Sequence, residues 1–391
     1  MMSKEREVIV VGAGPAGAIT ATILAQQGHD VLLLDKQTFP RDKTCGDAVP
    51  SGAIDILYNA GMKEKVETAV ARGEFYPLTH MRLVSPKGHQ LIAPLQRGDL
   101  GTDSYIAPRL YFDALIQQHA VAVGAEFRQA QVETPLVENG RIVGVKARTN
   151  GLVENLRAKI VVGADGVTST IARALRPQTA QHVDAHRAVA LRAYIEDIEE
   201  FPHEVEFYLY KNILPGYAWI FPTAPGQANI GLGMRLDHFR QTPRKLKDML
   251  TEFLAMPAIQ KRLKQGWKLH DIATWQLNFG SQRHIQYTYD GAVLVGDAAG
   301  LINPLTGGGI HNSLISGELA AQTIHEALLN SDTLQTGLQA YAKRCHNALW
   351  DGMKRSYRLQ KSLIRFPFLV DFLISRLQAN SSLAKIFLTK L

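Results

Sequence analysis

Gly12, Gly14 and Gly17 fall in the spacing G-x-G-x-x-G immediately after the apolar run Val8–Val11. That pattern suits one chemistry, the cradling of a pyrophosphate. Gly12 permits a tight turn, Gly14 lets backbone N–H groups approach an anion, and Gly17 lets a helix pack closely on the strand. A second apolar run, Val31–Leu34, ends at Asp35, about twenty residues past the glycines, where a carboxylate accepts ribose hydroxyl protons. Strand, glycine turn, helix, strand and terminal acid together predict a βαβ unit for a dinucleotide.

Further residues have types and spacings that carry chemistry. Cys45-Gly46 lies in the long loop Phe39–Pro50, and loops at the carboxyl ends of parallel strands hold ligands in this architecture. Cys45 has two open readings: a thiol against a cofactor ring, or an inert small hydrophobe. Gly163-Ala164-Asp165-Gly166 follows a buried-strand pattern and brings Asp165 to the crevice beside the first strand. Gly296-Asp297 ends another such pattern, and Pro304 with Gly307, Gly308 and Gly309 then opens a helix. N–H groups and the positive end of the helix dipole converge there. This suits the electron-rich pyrimidine edge of a reduced flavin, with Asp297 within reach of a ribityl chain or pyrophosphate. Tyr217, Trp219 and Phe221 alternate along one strand and so share a face. That face either lines an apolar cavity or is plain sheet core.

These residues need elements to position them. The first helix should run from about Ala16 to Gln27 and stop at Gly28. Gly52–Ala71 reads as one helix, Tyr76–Ile92 as a hairpin turning at Ser85–Gly88, and Arg109 heads a helix ending near Ala122. Asn139-Gly140 and Asn150-Gly151 are hairpin turns between strands at Val132–Val137, Arg141–Arg148 and Leu152–Ala158. Strands at Val189–Ile195, Glu204–Tyr210, Tyr217–Phe221 and Asn229–Met234, then a charged helix Pro243–Leu254, read as an antiparallel-sheet unit. The expected organisation is a nucleotide-binding domain in three parts (1–75, 101–186 and 285–330), interrupted twice. A hairpin at 76–100 contributes to an antiparallel-sheet domain at 187–284, and a basic amphipathic helical tail occupies 331–391.

At 391 residues, 46% hydrophobic and 20% charged, the chain has the make-up of a globular protein with room for two domains. Neither a signal peptide nor a membrane-spanning run is expected. Cys45 and Cys345 form no disulfide framework and no metal set, which points to a reducing cytosol. Positive charge is concentrated late. Residues 335–391 carry ten Lys or Arg against Asp351 and Asp371, a net +8 in a chain of net +7. There Phe366, Phe368, Leu369, Phe372, Leu373 and Leu377 interleave with Arg365, Arg376, Lys385 and Lys390, as in a helix that lies on a membrane or covers a cavity mouth. A solvated helical face is the plainer alternative. No nucleic-acid motif accompanies the basic segment, so no nucleic-acid partner is expected. No Ser-His-Asp elbow or histidine metal pair is present, and the thirteen histidines have no assigned role.

On Gly12–Gly17 with Asp35, Gly163–Gly166, and Gly296-Asp297 with the Pro304/Gly307–Gly309 loop, the sequence resembles flavoproteins of the p-hydroxybenzoate hydroxylase type across about residues 7–330. Within them it is most similar to the geranylgeranyl reductases. Lys43-Thr-Cys45-Gly46, Tyr217-Ala-Trp219-Ile-Phe221-Pro222 and Asn303-Pro-Leu-Thr306-Gly307 carry that likeness. The resemblance implies an α/β fold, with a Rossmann-like FAD-binding domain, an antiparallel-sheet substrate domain and a C-terminal helical segment. It implies FAD held by Gly12, Gly14, Pro15, Ala16, Gly17, Asp35, Lys36, Cys45, Gly46, Arg109, Val132, Asp165, Gly296, Asp297, Ala298, Pro304, Gly307, Gly308, Gly309 and Ile310, and no metal. The adenosine belongs at Asp35 and Arg109, the pyrophosphate at Gly12–Gly17 and the ring near Cys45-Gly46 and Gly307–Gly309. Cys45, Gly46, Tyr217 and Trp219 become catalytic candidates, and Tyr217, Trp219 and Phe221 cavity lining. The sequence departs from the family at Asp35, where Glu is usual, at Asp47, where a second Gly is common, and at Gly308, where Glu is frequent.

The implied activity is reduction of isolated C=C bonds of a prenyl chain by hydride from reduced flavin. The prenyl group belongs to an isoprenoid diphosphate, quinone, phospholipid or chlorophyll precursor. Only one G-x-G-x-x-G unit is present, so NAD(P)H as a transient visitor, or reduced ferredoxin, is the expected electron donor. Location is expected in the cytoplasm, with peripheral membrane contact through the tail. The rival is an FAD-dependent monooxygenase or halogenase of the same fold acting on an aromatic or other small hydrophobic substrate. Halogenases of this type usually show Trp-x-Trp-x-Ile-Pro where Tyr217 and Phe221 here replace the outer residues. A non-catalytic prenyl-lipid carrier would have eroded cofactor motifs, and these are intact.

Overall fold

Val8–Val11 and Val31–Asp35 are buried along their whole length, as parallel strands covered on both faces must be. The computed structural model describes residues 5–176, 183–282, 285–366 and 368–379. In it Arg6–Val11 is central in an eight-stranded sheet, parallel to Val31–Asp35 on one side and to Leu152–Gly163 on the other. Glu126–Gln129 extends the sheet beyond Val31–Asp35, and Ala292–Leu294 extends it beyond Leu152–Gly163, both parallel. Helices Pro15–Gln26 and Ile310–Leu329 pack against one another over this sheet. Their amino ends point to one edge, where the strands' carboxyl ends also lie.

Two expectations about local structure change. The strand expected at Leu152–Ala158 does not stop there: Leu152–Gly163 is continuous, antiparallel to Arg141–Thr149 in its first half and parallel to Arg6–Val11 in its second. Gly52–Ala71 is two helices, Ser51–Asn59 and Lys63–Ala71. Gly61 in the left-handed region (φ +84) turns the chain between them, and Met62 plugs the core at the corner. The Asn-Gly pairs at 139–140 and 150–151 both have positive φ at each residue, as two-residue hairpin turns require.

The second sheet has seven strands, in the order Leu263–Asn278, Arg187–Ile198, Gln227–Arg235, Tyr217–Ala224, Glu204–Tyr208, His80–Val84 and Gln90–Pro94. It is antiparallel throughout except where Glu204–Tyr208 runs parallel to His80–Val84. The hairpin at 80–94 thereby joins the later strands. Leu263–Asn278, sixteen residues long, was not foreseen. It is an edge strand with most residues exposed, so the apolar alternation that announces a half-buried strand is missing. A small sheet of Ala48–Val49, Ser104–Ile106 and Tyr76–Leu78 lies apart from the two large ones.

The expected tail at 331–391 divides. Helix Gln335–Cys345 sinks Leu338, Tyr341 and Cys345 into the core of the nucleotide-side sheet, and the Tyr341 hydroxyl donates to the Leu294 carbonyl at 2.9 Å. Helix Asp351–Arg365 adds Met353 to the same body. Helix Phe368–Ala379 instead lies on the second sheet, laying Val370, Ile374 and Leu377 on Leu91 of the edge hairpin. Lys385 and Lys390 lie outside the described residues, as does the expected boundary at 284. Among the described residues no helix is long and apolar enough to cross a membrane.

Candidate active site

A cavity of about 890 Å³ runs from the carboxyl ends of the first two strands to one face of the seven-stranded sheet. It is lined by Gly12, Gly14, Pro15, Ala16, Asp35, Lys36, Cys45, Gly46, Arg109, Val132, Asp165, Asp297, Pro304, Gly307, Gly308, Gly309 and Ile310, and by Tyr217, Trp219 and Phe221. Gly17, Gly296 and Ala298 stand behind this wall instead. Gly17 is pressed on the Gly12 carbonyl, Gly296 on Ala16 and Ser313, and Ala298 is buried.

The nucleotide end is shaped by close backbone approach. Gly12 has φ +102, and a Cβ on it would lie 2.4 Å from the Ala164 carbonyl oxygen. The turn carrying Asp165 therefore rests directly on the glycine turn. The Asp165 carboxylate accepts from the Ser169 hydroxyl and, at 2.6 Å, from the Thr170 N–H, and so fixes that turn at the cavity wall. Asp35 accepts the Ala13 and Gln37 N–H groups, each at 2.9 Å, one per oxygen. Each oxygen keeps a lone pair for a ribose hydroxyl.

Two guanidinium groups stand over Gly14. A Cβ there would be 3.7 Å from Arg41 and 4.0 Å from Arg109. Arg109 forms a bidentate pair with the fully buried Asp113 at 2.6 and 2.7 Å, and Arg41 shares that carboxylate at 2.8 Å. Burial alone would lower the Arg109 pKa, but Asp113 holds it well above the ordinary value. Two cations with one carboxylate between them, at a helix N-terminus, fit the diphosphate bridge of FAD. Arg41 and Asp113 were not singled out from sequence. The Arg109/Asp113 spacing of four on a helix was the available signal.

At the other end, the loop before Ile310 is held on two sides. The Asn303 carboxamide accepts the N–H groups of Leu305 and Thr306 at 2.9 and 3.2 Å. In front, the Tyr217 hydroxyl donates to the Thr306 carbonyl. Behind, Gln360 donates to the Pro304 carbonyl at 2.5 Å, and Asn303 donates to Ser356 at 3.1 Å. Asp297 pairs with Lys43 at 3.3 Å and borders Gly309. Helix Asp351–Arg365, taken from sequence as tail, thus braces the glycine loop.

The aromatic wall follows from strand register. Trp219 pairs with Phe207 on one side and Gly231 on the other, and Phe221 pairs with Asn229. A Cβ on Gly231 would come within 2.3 Å of the Trp219 ring, so its absence is what lets the indole lie over that strand. The same relation recurs across the cavity. A Cβ on Gly46 would lie 3.0 Å from Phe221 and 3.6 Å from Trp219 Nε1. The Cys45-Gly46 loop is therefore stacked on the aromatic strand. Burial pushes the Cys45 thiol up, with Arg109 pulling the other way, which favours a neutral thiol over a thiolate nucleophile.

A buried polar network ties loop to sheet. Asn229 accepts from Trp219 Nε1 and donates to the Cys45 carbonyl and to Asp47 Oδ2, each at 2.8 Å. Tyr194 donates to the same Asp47 oxygen at 2.6 Å. Asp47 is completely buried, has φ +63, and burial pushes its carboxyl up to about 6. Tyr194 and Asn229 were missed because nothing local marks a polar side chain on a sheet face as a site residue. Asp47 was marked only as a departure from a glycine, and its left-handed backbone is the reason glycine is at home there.

Comparison with known proteins agrees with this geometry. Residues 5–356 match the protein family described as "FAD binding domain". The chain is 31% identical over 378 residues to digeranylgeranylglycerophospholipid reductase 2 of Methanopyrus kandleri, covering 91% of this chain and 86% of the relative. Among solved structures, a geranylgeranyl bacteriochlorophyll reductase-like protein from Thermoplasma acidophilum superposes with a TM-score of 0.84 at 26% identity, covering 96% of this chain and 91% of the other. A flavin-dependent brominase superposes with a TM-score of 0.79 at 19% identity, covering 98% of this chain and 92% of the other, and so shares the fold.

Proposed function

Because the chain belongs to the geranylgeranyl reductase family of FAD-dependent oxidoreductases, we propose that it saturates isolated double bonds of a prenyl lipid. The observation that carries this reading is the stacking of the Cys45-Gly46 loop on Phe221 and Trp219, inside a cavity whose sheet wall also includes Met81, Val205 and Phe207. An isolated alkene has no oxygen or nitrogen to grip, so an apolar wall must position it. Reduced FAD, when bound, supplies hydride. The chain's own residues do the rest. Gly12–Gly17, Arg41 and Arg109 hold the diphosphate, and the loop braced by Tyr217 and Gln360 borders the ring. Phe207, Trp219 and Phe221 align the prenyl chain and keep water out. Electrons come from NAD(P)H or reduced ferredoxin.

The test is mass spectrometry of prenyl diphosphate, prenyl quinone, prenyl phospholipid and chlorophyll-precursor substrates. Each is incubated with chemically reduced protein without air, and with NADPH and air. Gain of hydrogen pairs without air is the expected result and identifies the lipid. Gain of oxygen, only with air, would assign the protein to the monooxygenases instead.

The lipid must leave a membrane to reach this cavity, and Phe368–Ala379 is suited to that surface. Phe368 and Phe372 are 66% and 52% exposed; Arg376 lies over the Phe372 ring and Arg365 over Phe366, whose ring meets Phe368 edge-on, so aromatic and basic groups share one surface, as at a membrane interface. Replacing Phe368 and Phe372 together by serine is expected to weaken binding to anionic liposomes while leaving the melting temperature unchanged. Undiminished sedimentation with liposomes would remove this helix as the membrane contact. Truncation from residue 331 is not a usable test, since Leu338 and Tyr341 are core residues.

A further inference from the structure

Saturating an isolated double bond takes a proton as well as a hydride, and the prenyl-reductase reading leaves the proton's source unassigned. Asp47 lines the cavity next to Gly46, where the loop meets Trp219 and Phe221. Its two oxygens are not equivalent. Oδ2 accepts from Tyr194 at 2.6 Å and from Asn229 at 2.8 Å, which uses both of its lone pairs. Oδ1 is buried and has no hydrogen-bond partner among the described residues. An ionised carboxylate with one bare buried oxygen is costly. A carboxyl group with its proton on Oδ1 leaves Oδ2 as the carbonyl acceptor of both bonds. The hydrogen-bond pattern thus places the proton on the oxygen that is free to release it.

The surroundings keep that proton available near neutral pH. Burial raises the Asp47 pKa to about 6, against the lowering effects of Tyr194, Asn229, Arg192 and Arg109. Tyr194 and Arg192 face it from strand Arg187–Ile198, Asn229 from Gln227–Arg235, Arg109 from helix Arg109–Ala122, and Cys45 from its own loop. Cys45 is the weaker acid of the two, since burial raises an already higher thiol value.

We propose that Asp47 is the acid of this site. Its Oδ1–H bond breaks and the proton goes to one alkene carbon. The neighbouring carbon takes hydride from reduced FAD, which is oxidised, and the Asp47 carboxylate is reprotonated from water. The assignment rests on the prenyl-reductase reading.

Two variants and two measurements test it. Asp47→Asn keeps the size and can still accept both bonds, but has no acidic proton; Tyr194→Phe removes one donor from Oδ2. The first measurement is infrared titration of the protein without substrate between about pH 4 and pH 8, reading the protonated-carboxyl band. It should titrate near 6 in the parent and be missing in Asp47→Asn. The second is the single-turnover rate at which prenyl substrate reoxidises chemically reduced protein. The parent rate should fall as pH rises above about 6. Asp47→Asn should be about a hundredfold slower, without that limb, at unchanged flavin content. Tyr194→Phe should move the limb to higher pH, because the lost bond favours the ionised form. Parent rate and pH profile in Asp47→Asn, or an unmoved limb in Tyr194→Phe, overturns the proposal. If Asp47→Asn does not fold, Tyr194→Phe decides. A parent protein that reduces no prenyl chain defeats the reductase reading and the acid role with it. An active parent with an unaffected Asp47→Asn defeats the acid role alone.

Discussion

Replacing Gly17 by alanine is expected to give protein that emerges from desalting without flavin. The new Cβ would lie 1.8 Å from the Gly12 carbonyl oxygen and 3.0 Å from the Ala164 Cβ. Neither neighbour can yield. Gly12 donates to the Leu34 carbonyl at 2.7 Å, and Ala164 donates to the Val11 carbonyl at 2.8 Å, so both belong to the central strand ladder. Helix Pro15–Gln26 must move instead, taking its N-terminus off the proposed diphosphate site. Overpacking of this kind costs about 1–3 kcal/mol in stability, and a misplaced anion site should weaken FAD at least about a hundredfold, near 2.7 kcal/mol. Flavin absorbance per protein and thermal melting with and without added FAD read both effects. Full flavin content with an unchanged melting curve would show that the helix contact is not what shapes the site.

The second large effect is expected at Asp113. That carboxylate is fully buried and receives two bonds from Arg109 and one from Arg41. Asp113→Ala leaves the buried Arg109 guanidinium without its partner and Arg41 with Asp35 at 3.8 Å, and breaking such a pair from one side costs about 3–5 kcal/mol. The loss should be larger for the protein stripped of FAD than for the loaded protein, because a diphosphate held at the proposed site would restore negative charge beside both arginines, and binding to the native state adds stability. Chemical denaturation of both forms measures this. Equal, small losses in the two forms would mean that the arginines are solvated rather than dependent on Asp113.

How far the sequence speaks for the structure depends on the range of the interaction. The glycine turn at 12–17 and the paired Asn-Gly turns are local, since backbone geometry alone demands them, and they read directly. The aromatic positions 217, 219 and 221 also read directly as one face. What that face meets did not, because Gly46 reaches Phe221 across 175 residues of chain. Arg41, Asn229 and Tyr194 escape notice for the same reason: each is an ordinary polar residue until its distant partner is in place. The late helices were misjudged for a different reason. The excess of Lys and Arg over 335–391 surrounds Leu338, Tyr341 and Cys345, whose spacing is that of a helix face turned inward.

The order of strands in the nucleotide-side sheet bears on how the chain folds. Arg6–Val11 is flanked by Val31–Asp35 and by Leu152–Gly163, and the sheet continues to Ala292–Leu294. Contacts separated by this much sequence form slowly, because loop closure must precede the gain from pairing. Until residue 163 is available, one side of the first strand is an open parallel edge, apolar on both faces, of the kind that joins other chains. Half-synthesised or half-unfolded copies therefore expose that edge until Leu152–Gly163 pairs with it. FAD is then a ligand of the completed sheet, and its binding adds stability to the native state alone.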